Sequence, residues 1–238
     1  MISTLLEIVT KHCQRNGLSV PAAILGSVDP QIVQIYSLLE EGCEAVATRG
    51  RWQELVSEAT FVTLGVEDQG DINTIAPGYE SILPRTIWDR TLASPMWGPD
   101  SPEGWQEMKG VPLTGPSYTW RLRGSHLFVS PAPTAGHTWA FEYMDQRYVY
   151  DVANAVRVFN FNLDTNQVLL PQRVVLQDLR WRWKKEKGLP YAEDFNIFES
   201  TVVDAISRSG GSKTISMNDC EGRGTPGIFV PAGSWVIP

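Results

Sequence analysis

The residues of this chain best suited to move protons near neutral pH are His12, His126 and His137. None of them stands in a catalytic pattern. No GxSxG sets a serine on a nucleophile elbow, and no HExxH places two imidazoles one helical turn apart. No GxGxxG or GxxxxGK[ST] offers a backbone cradle for phosphate. The acidic pairs Glu40-Glu41 and Glu67-Asp68 fall on a helix face and in a loop, where solvation accounts for them. Glu142 and Asp145 are two acids near tryptophans, a weak basis for glycosidic chemistry. Cys13, Cys43 and Cys220 are far apart and lack any CxxC or Cys/His ligand spacing. Cys13 and Cys43 lie on apolar helical stripes, as small buried hydrophobes do. The expectation is a protein that is not an enzyme and needs no cofactor or metal.

Two stretches concentrate charge. Arg85-Thr86-Ile87-Trp88-Asp89-Arg90 sets two guanidinium groups and a carboxylate around an indole, the make-up of an ion-pair network holding a loop. Residues 173–187 carry Arg173, Arg180, Arg182, Lys184, Lys185 and Lys187 around an apolar stripe of Leu176, Leu179 and Trp183. A cationic face could meet DNA, which makes Arg180, Arg182, Lys184 and Lys185 candidate DNA-facing residues. Basic residues near a helix C-terminus are equally favoured by the helix dipole as an ordinary solvated face. Trp181 and Trp183 make a subunit contact the better second choice. Trp88, Trp97 and Trp105 are further interface anchors, because an aromatic supplies large area at small entropic cost.

The elements that must position these groups follow from periodicity. The apolar series Ile2, Leu5, Leu6, Val9 and Cys13 predicts a helix over 2–16 stopped by Gly17. Asp29-Pro30 caps a second helix running to about Arg49-Gly50. Strands are expected at 58–64, 118–123, 126–130 and 138–143, the last three as an antiparallel meander turning at Gly124-Ser125 and 131–136. A short helix is expected at 101–109 between them. Two more helices follow Pro171 and Pro190, ended by Gly188 and Gly210-Gly211. The fold class expected is α+β: a small four-helix bundle (1–50 and 171–210) with an inserted antiparallel β domain (51–170) and an extended C-terminal arm (211–238).

Composition narrows the partners. The chain has 238 residues, 42% hydrophobic, with nine Trp, sixteen Pro and a net charge of −7. That charge argues against a surface that grips nucleic-acid phosphates. The N-terminal stretch, broken by Glu7, Lys11, His12 and Arg15, is not expected to be a signal peptide, and no apolar run is long enough for a membrane span. The arm alternates Gly/Ser-rich segments with apolar ones: Ile215 and Met217, then Ile228-Phe229-Val230-Pro231 and Trp235-Val236-Ile237-Pro238. Glycine gives reach, proline favours extended backbone, and clustered apolar residues seek cover. Their cover is either a neighbouring subunit or the arm's own domain.

Several segments together resemble the head-to-tail adaptor (connector) proteins of tailed bacteriophages, especially short-tailed ones. They are 82–91 (Ile-Leu-Pro-Arg-Thr-Ile-Trp-Asp-Arg-Thr), Pro95-Met96-Trp97-Gly98-Pro99 with Trp105, and Arg121-Leu122-Arg123-Gly124. Ser130 to Gly136, Phe141-Glu142-Tyr143, Asp164-Thr165-Asn166 with Leu169-Leu170-Pro171, Trp181-Arg182-Trp183-Lys184 and Gly188 to Phe195 belong to the same resemblance, which covers roughly 1–210. It implies a structural virion protein at the portal vertex, assembled in the host cytoplasm as a homo-oligomeric ring, typically twelve-fold. Such a ring joins the portal to the nozzle or next tail component, and viral DNA passes through its centre without sequence-specific binding. The resemblance gives the arm (Ile215, Met217, Ile228, Phe229, Val230, Trp235, Val236, Ile237) to the portal. Arg85, Trp88, Asp89, Arg90, Trp97, Trp105, Trp181 and Trp183 become candidates for the subunit or tail interface. The alternative function is a glycan-binding or glycan-cleaving virion module built on the Trp-rich insertion.

Overall fold

Thr4 begins the first helix with a capping box: its hydroxyl accepts the Glu7 amide (3.2 Å) while the Glu7 carboxylate accepts the Thr4 amide (3.3 Å). In the computed structural model, which describes residues 3–110 and 118–210, this helix is α1 (Leu5–Asn16). It stops at Gly17, whose φ of 65° lies in the left-handed region. Helix α2 (Pro30–Arg49) starts where the Asp29 carboxylate accepts the Gln31 amide, with proline at its first position. Near the other end of the chain, α5 (Gln172–Glu186) and α6 (Ala192–Ser209) form a hairpin joined by residues 187–191. Two short helices, α3 (Ile72–Ile75) and α4 (Pro102–Gly110), lie between these pairs.

Among the described residues twelve strands fall into three antiparallel sheets. The central sheet is built on β9 (Thr138–Asp145), which pairs along its whole length with β2 (Val56–Val62). Its opposite edge is shared by β4 (Tyr79–Ile82) near one end and β5 (Trp88–Asp89) near the other, with β6 (Ser94–Pro95) outside β5. A second sheet orders β3 (Asp68–Asp71), β8 (His126–Ser130) and β7 (Thr119–Arg123). The third runs β1 (Ser3–Thr4), β12 (Gln167–Val168), β10 (Val149–Asp151) and β11 (Val156–Val158).

The expected small four-helix bundle with an inserted β domain is therefore corrected to a mixed α/β fold of three antiparallel sheets and six helices. The helices do bury their stripes, but not on one another alone. Their core takes in Leu55, Met144, Tyr148, Val149, Phe161 and Val168 from strands and loops, and β1 stitches the start of α1 to β12. A second core, with Ile87, Trp120, Leu127, Trp139 and Phe141, lies between the other two sheets. Burial of each large apolar side chain contributes about 1.5–3 kcal/mol. The expected meander is also divided. β7 and β8 pair as a hairpin, whereas β9 leaves to join β2 in a different sheet.

Two contacts fix how these layers meet. Trp52 is fully buried and its indole N–H donates to the Val46 carbonyl (2.8 Å), tying the end of α2 to the turn before β2. Arg157 on β11 donates to Ser57 Oγ (2.7 Å) and to the carbonyls of Glu54 (3.0 Å), Leu55 (3.3 Å) and Val56 (3.3 Å). A single guanidinium thus satisfies the irregular backbone through which the chain passes from one core to the other.

Candidate interaction surfaces

The cationic helix α5 spends its charge inside the fold. Arg180 pairs with Asp194 (3.0 Å), and Lys184 pairs with the same carboxylate. Arg182 binds Asp178 one turn earlier (2.7 Å) and Glu41 of α2 (2.5 Å). Lys187 donates to Gln34 (2.8 Å). Burial raises the Asp178 carboxyl above the ordinary range, even though Arg182 and the Trp181 indole N–H favour its charged form. Of the four residues singled out as DNA-facing, Lys185 points to solvent, and its ammonium lies 5.9 Å from the Trp181 ring centre. The other three are tied to carboxylates.

Arg85, Asp89 and Arg90 separate instead of forming one network. Asp89 is fully buried: one oxygen accepts the amides of Thr91 (2.8 Å) and Leu92 (2.9 Å), the other faces His137 Nδ1 (3.0 Å). The Trp139 indole N–H lies beside the same carboxylate without hydrogen-bonding geometry. Burial works to raise the Asp89 carboxyl, but the Leu92 amide, the indole, His137 and the Thr91 amide together hold it below the usual range. Arg90 pairs outward with Glu58, and Arg85 is exposed at a positive φ of 64°. His137 with Asp89 has the orientation of a base and its carboxylate, and the backbone amide of His137 donates to Thr63 Oγ1 (3.0 Å). That hydroxyl donates onward to the Thr134 carbonyl (2.7 Å), so it is held as a loop clamp. Elsewhere His126 faces Asp68, and His12 is buried edge-on to Trp183 with ring centres 5.7 Å apart. Among the described residues no three His, Cys, Asp or Glu side chains converge as metal ligands. Cys13 and Cys43 are buried free thiols whose ionisation burial pushes up, which makes them poor nucleophiles.

The tryptophans divide into core and surface. Trp105 and Trp183 are buried, as are Trp52, Trp120 and Trp139; Trp88, Trp97 and Trp181 are half-buried. Trp88 pairs in the sheet with Ala140 and Pro95, and Trp97 exchanges backbone hydrogen bonds with Tyr118 and Trp120. These indoles form no open row on which a sugar ring could stack.

No protein-family model matches the chain, and no curated protein is significantly similar to it. Among the described residues no helix is long and apolar enough to cross a membrane.

Large apolar side chains are left in water at several places on the surface, and two of these places bear on the expected contacts. Strand β2 runs from the helical core at Leu55 and Val56 to the second core at Phe61, and beyond it Val62 and Leu64 stand 62% and 51% exposed. Leu92, 55% exposed, follows Thr91, whose hydroxyl accepts the amide of Thr138, the strand partner of Val62. At the helical extremity, Leu189, Tyr191 and Phe195 are 44%, 40% and 37% exposed around Trp181. Trp181 meets Phe195 edge-on (5.2 Å between centres) and Tyr191 at 6.4 Å. Helical periodicity placed Phe195 on the stripe of Phe198 and Val202; those two are buried and Phe195 is not. The apolar Leu189-Pro190-Tyr191 in a helix-to-helix turn, where water is expected, was the signal for this surface. The arm residues Ile215, Met217, Ile228, Phe229, Val230, Trp235, Val236 and Ile237 lie outside the described residues.

Proposed function

We infer that this chain is a structural virion protein, a head-to-tail adaptor whose copies form a ring between the portal and the tail nozzle. The observation carrying this reading is the pair of separated apolar surfaces, one around Val62, Leu64 and Leu92 and the other around Leu189, Tyr191 and Phe195. An adaptor must bind different neighbours on different sides, and exposed apolar clusters are what protein–protein contacts cover. The neutralised helix α5 fits the same role. With Arg180, Arg182 and Lys184 held by carboxylates, a ring of such protomers presents little cationic surface to a passing duplex. The resemblance of segments 82–91, 95–99 and 188–195 to connector proteins supports it as well.

In this reading residues 212–238 engage the portal, with Phe229, Trp235 and Ile237 as anchors. The test is attachment of purified protein to portal rings, followed by native mass measurement. The full chain should add to the portal as a closed set of subunits, and the chain ending at Gly211 should keep its helical spectrum yet fail to attach. Attachment by the shortened chain would reject the role given to the arm. Failure of the full chain to attach would reject the adaptor function.

A further inference from the structure

The surface at the α5–α6 hairpin is a shallow, open groove. Trp181, Lys185, Tyr191, Ala192 and Phe195 line one part of it, and Leu189 with the turn before α6 continues it. The aromatic rings meet one another at inclined angles, and Lys185 and Arg182 lie over the indole of Trp181. Aromatic walls around a shallow groove are the chemistry that takes extended, proline-containing segments, because proline rings pack on aromatic faces and such backbone is already ordered. The sequence of this chain carries two apolar segments ending in proline close together, Phe229-Val230-Pro231 and Val236-Ile237-Pro238.

We propose that the 228–238 segment docks in the α5–α6 groove of its own protomer, parking the arm until a partner displaces it. Geometry favours the chain's own segment over a second copy's. Helix α6 has 18 residues, so the groove at its first turns lies about 27 Å from Gly210, where the described chain stops. A stretch of about 17 residues, the length of 211–227, would have a root-mean-square span of about 21–25 Å as a Gly/Ser-type linker. A linker whose span matches the separation of its sites gives the largest effective concentration, of about millimolar order. A second copy reaches that concentration only in an assembled ring. The proposal concerns the free protomer and stands whether or not the chain is a connector.

The experiment is amide hydrogen exchange on the full-length chain, comparing the native protein with Phe229→Asp and Trp235→Asp. Exchange in the peptide covering 189–198 should be about tenfold faster in both variants, as expected when an effective concentration of about 1 mM saturates a contact of about 0.1 mM. The protection should be independent of protein concentration. As a second readout, Tyr191→Ser should move the fluorine resonance of fluorotryptophan-labelled Trp235 toward its solvent-exposed position, with helical content unchanged. Equal exchange in native and variant chains overturns the proposal. Protection that disappears on dilution assigns the groove to a second copy and overturns it too.

Discussion

Gly42 of α2 lies directly against the Asp178 carboxylate of α5, so that a Cβ at position 42 would overlap Asp178 Oδ2, the oxygen that binds the Arg182 guanidinium. The absence of a side chain lets the ion pair sit between the helices. Asp178 is 2% exposed and its partner Arg182 reaches on to Glu41 of α2. Gly42→Ala, an exchange that in an exposed helix would stabilise, should here destabilise by about 1–3 kcal/mol through overpacking. A lowered urea midpoint with unchanged slope would show it; an unchanged or raised midpoint would contradict the packing.

His12 makes folding stability depend on acid. Burial, with Arg15 and Arg180 nearby, lowers its pKa from 6.5 to about 4. The unfolded chain therefore binds more protons than the folded one between those values, and stability must rise with pH across that window. The contribution is fully present above about 6.5 and falls by roughly 3 kcal/mol as pH drops to 4. In His12→Gln this part of the pH dependence should vanish, as read from thermal midpoints between pH 4 and 7. A variant that kept the native slope would remove His12 as its cause.

Arg157 joins the two cores through three backbone carbonyls and a serine hydroxyl. Arg157→Ala should cost about 2–4 kcal/mol, since the carbonyls lose their donors. Arg157→Lys should recover little, because one ammonium cannot reproduce the planar fork. Equilibrium unfolding of both variants, followed by tryptophan emission, decides the matter; full recovery by lysine would show that charge alone is needed.

Releasing the cations of α5 should create DNA binding that the native surface suppresses. In Asp194→Asn, Arg180 and Lys184 lose their shared carboxylate. Retention of double-stranded DNA at about 50 mM salt should rise above native and be lost by about 200 mM. Equal retention by both proteins would mean the pairing is not what keeps DNA off this face.

The helices were legible because each declares itself locally: Thr4 with Glu7, Asp29 with Pro30, and the apolar series at three- and four-residue spacing. The β7–β8 hairpin was legible through strict alternation around Gly124-Ser125. The architecture was not, because it depends on strands too short to have a period. β1, β5, β6 and β12 are two residues each, yet β1–β12 helps turn a supposed bundle into a helix-and-sheet layer. Asp89 shows the same limit at the site level. Its neighbours in sequence are Trp88 and Arg90, but its partners are His137 and the amides of Thr91 and Leu92. Phe195, Phe198 and Val202 recur at helical spacing in the sequence; that this stripe outruns the core could be seen only once the core was located.

The join between Ser3-Thr4 and Gln167-Val168, with α1 packed on α5, has a consequence for biosynthesis. Ile24 and the α2 residues Ile32 and Ile35 share the core with Leu5, Ile8 and Val9, but α5 and β12, which complete it, are synthesised about 150 residues later. At about 5–20 residues per second, the wait for α5 lasts on the order of ten to forty seconds. Slowing elongation should therefore lengthen the exposure of this stripe and lower the yield of soluble product.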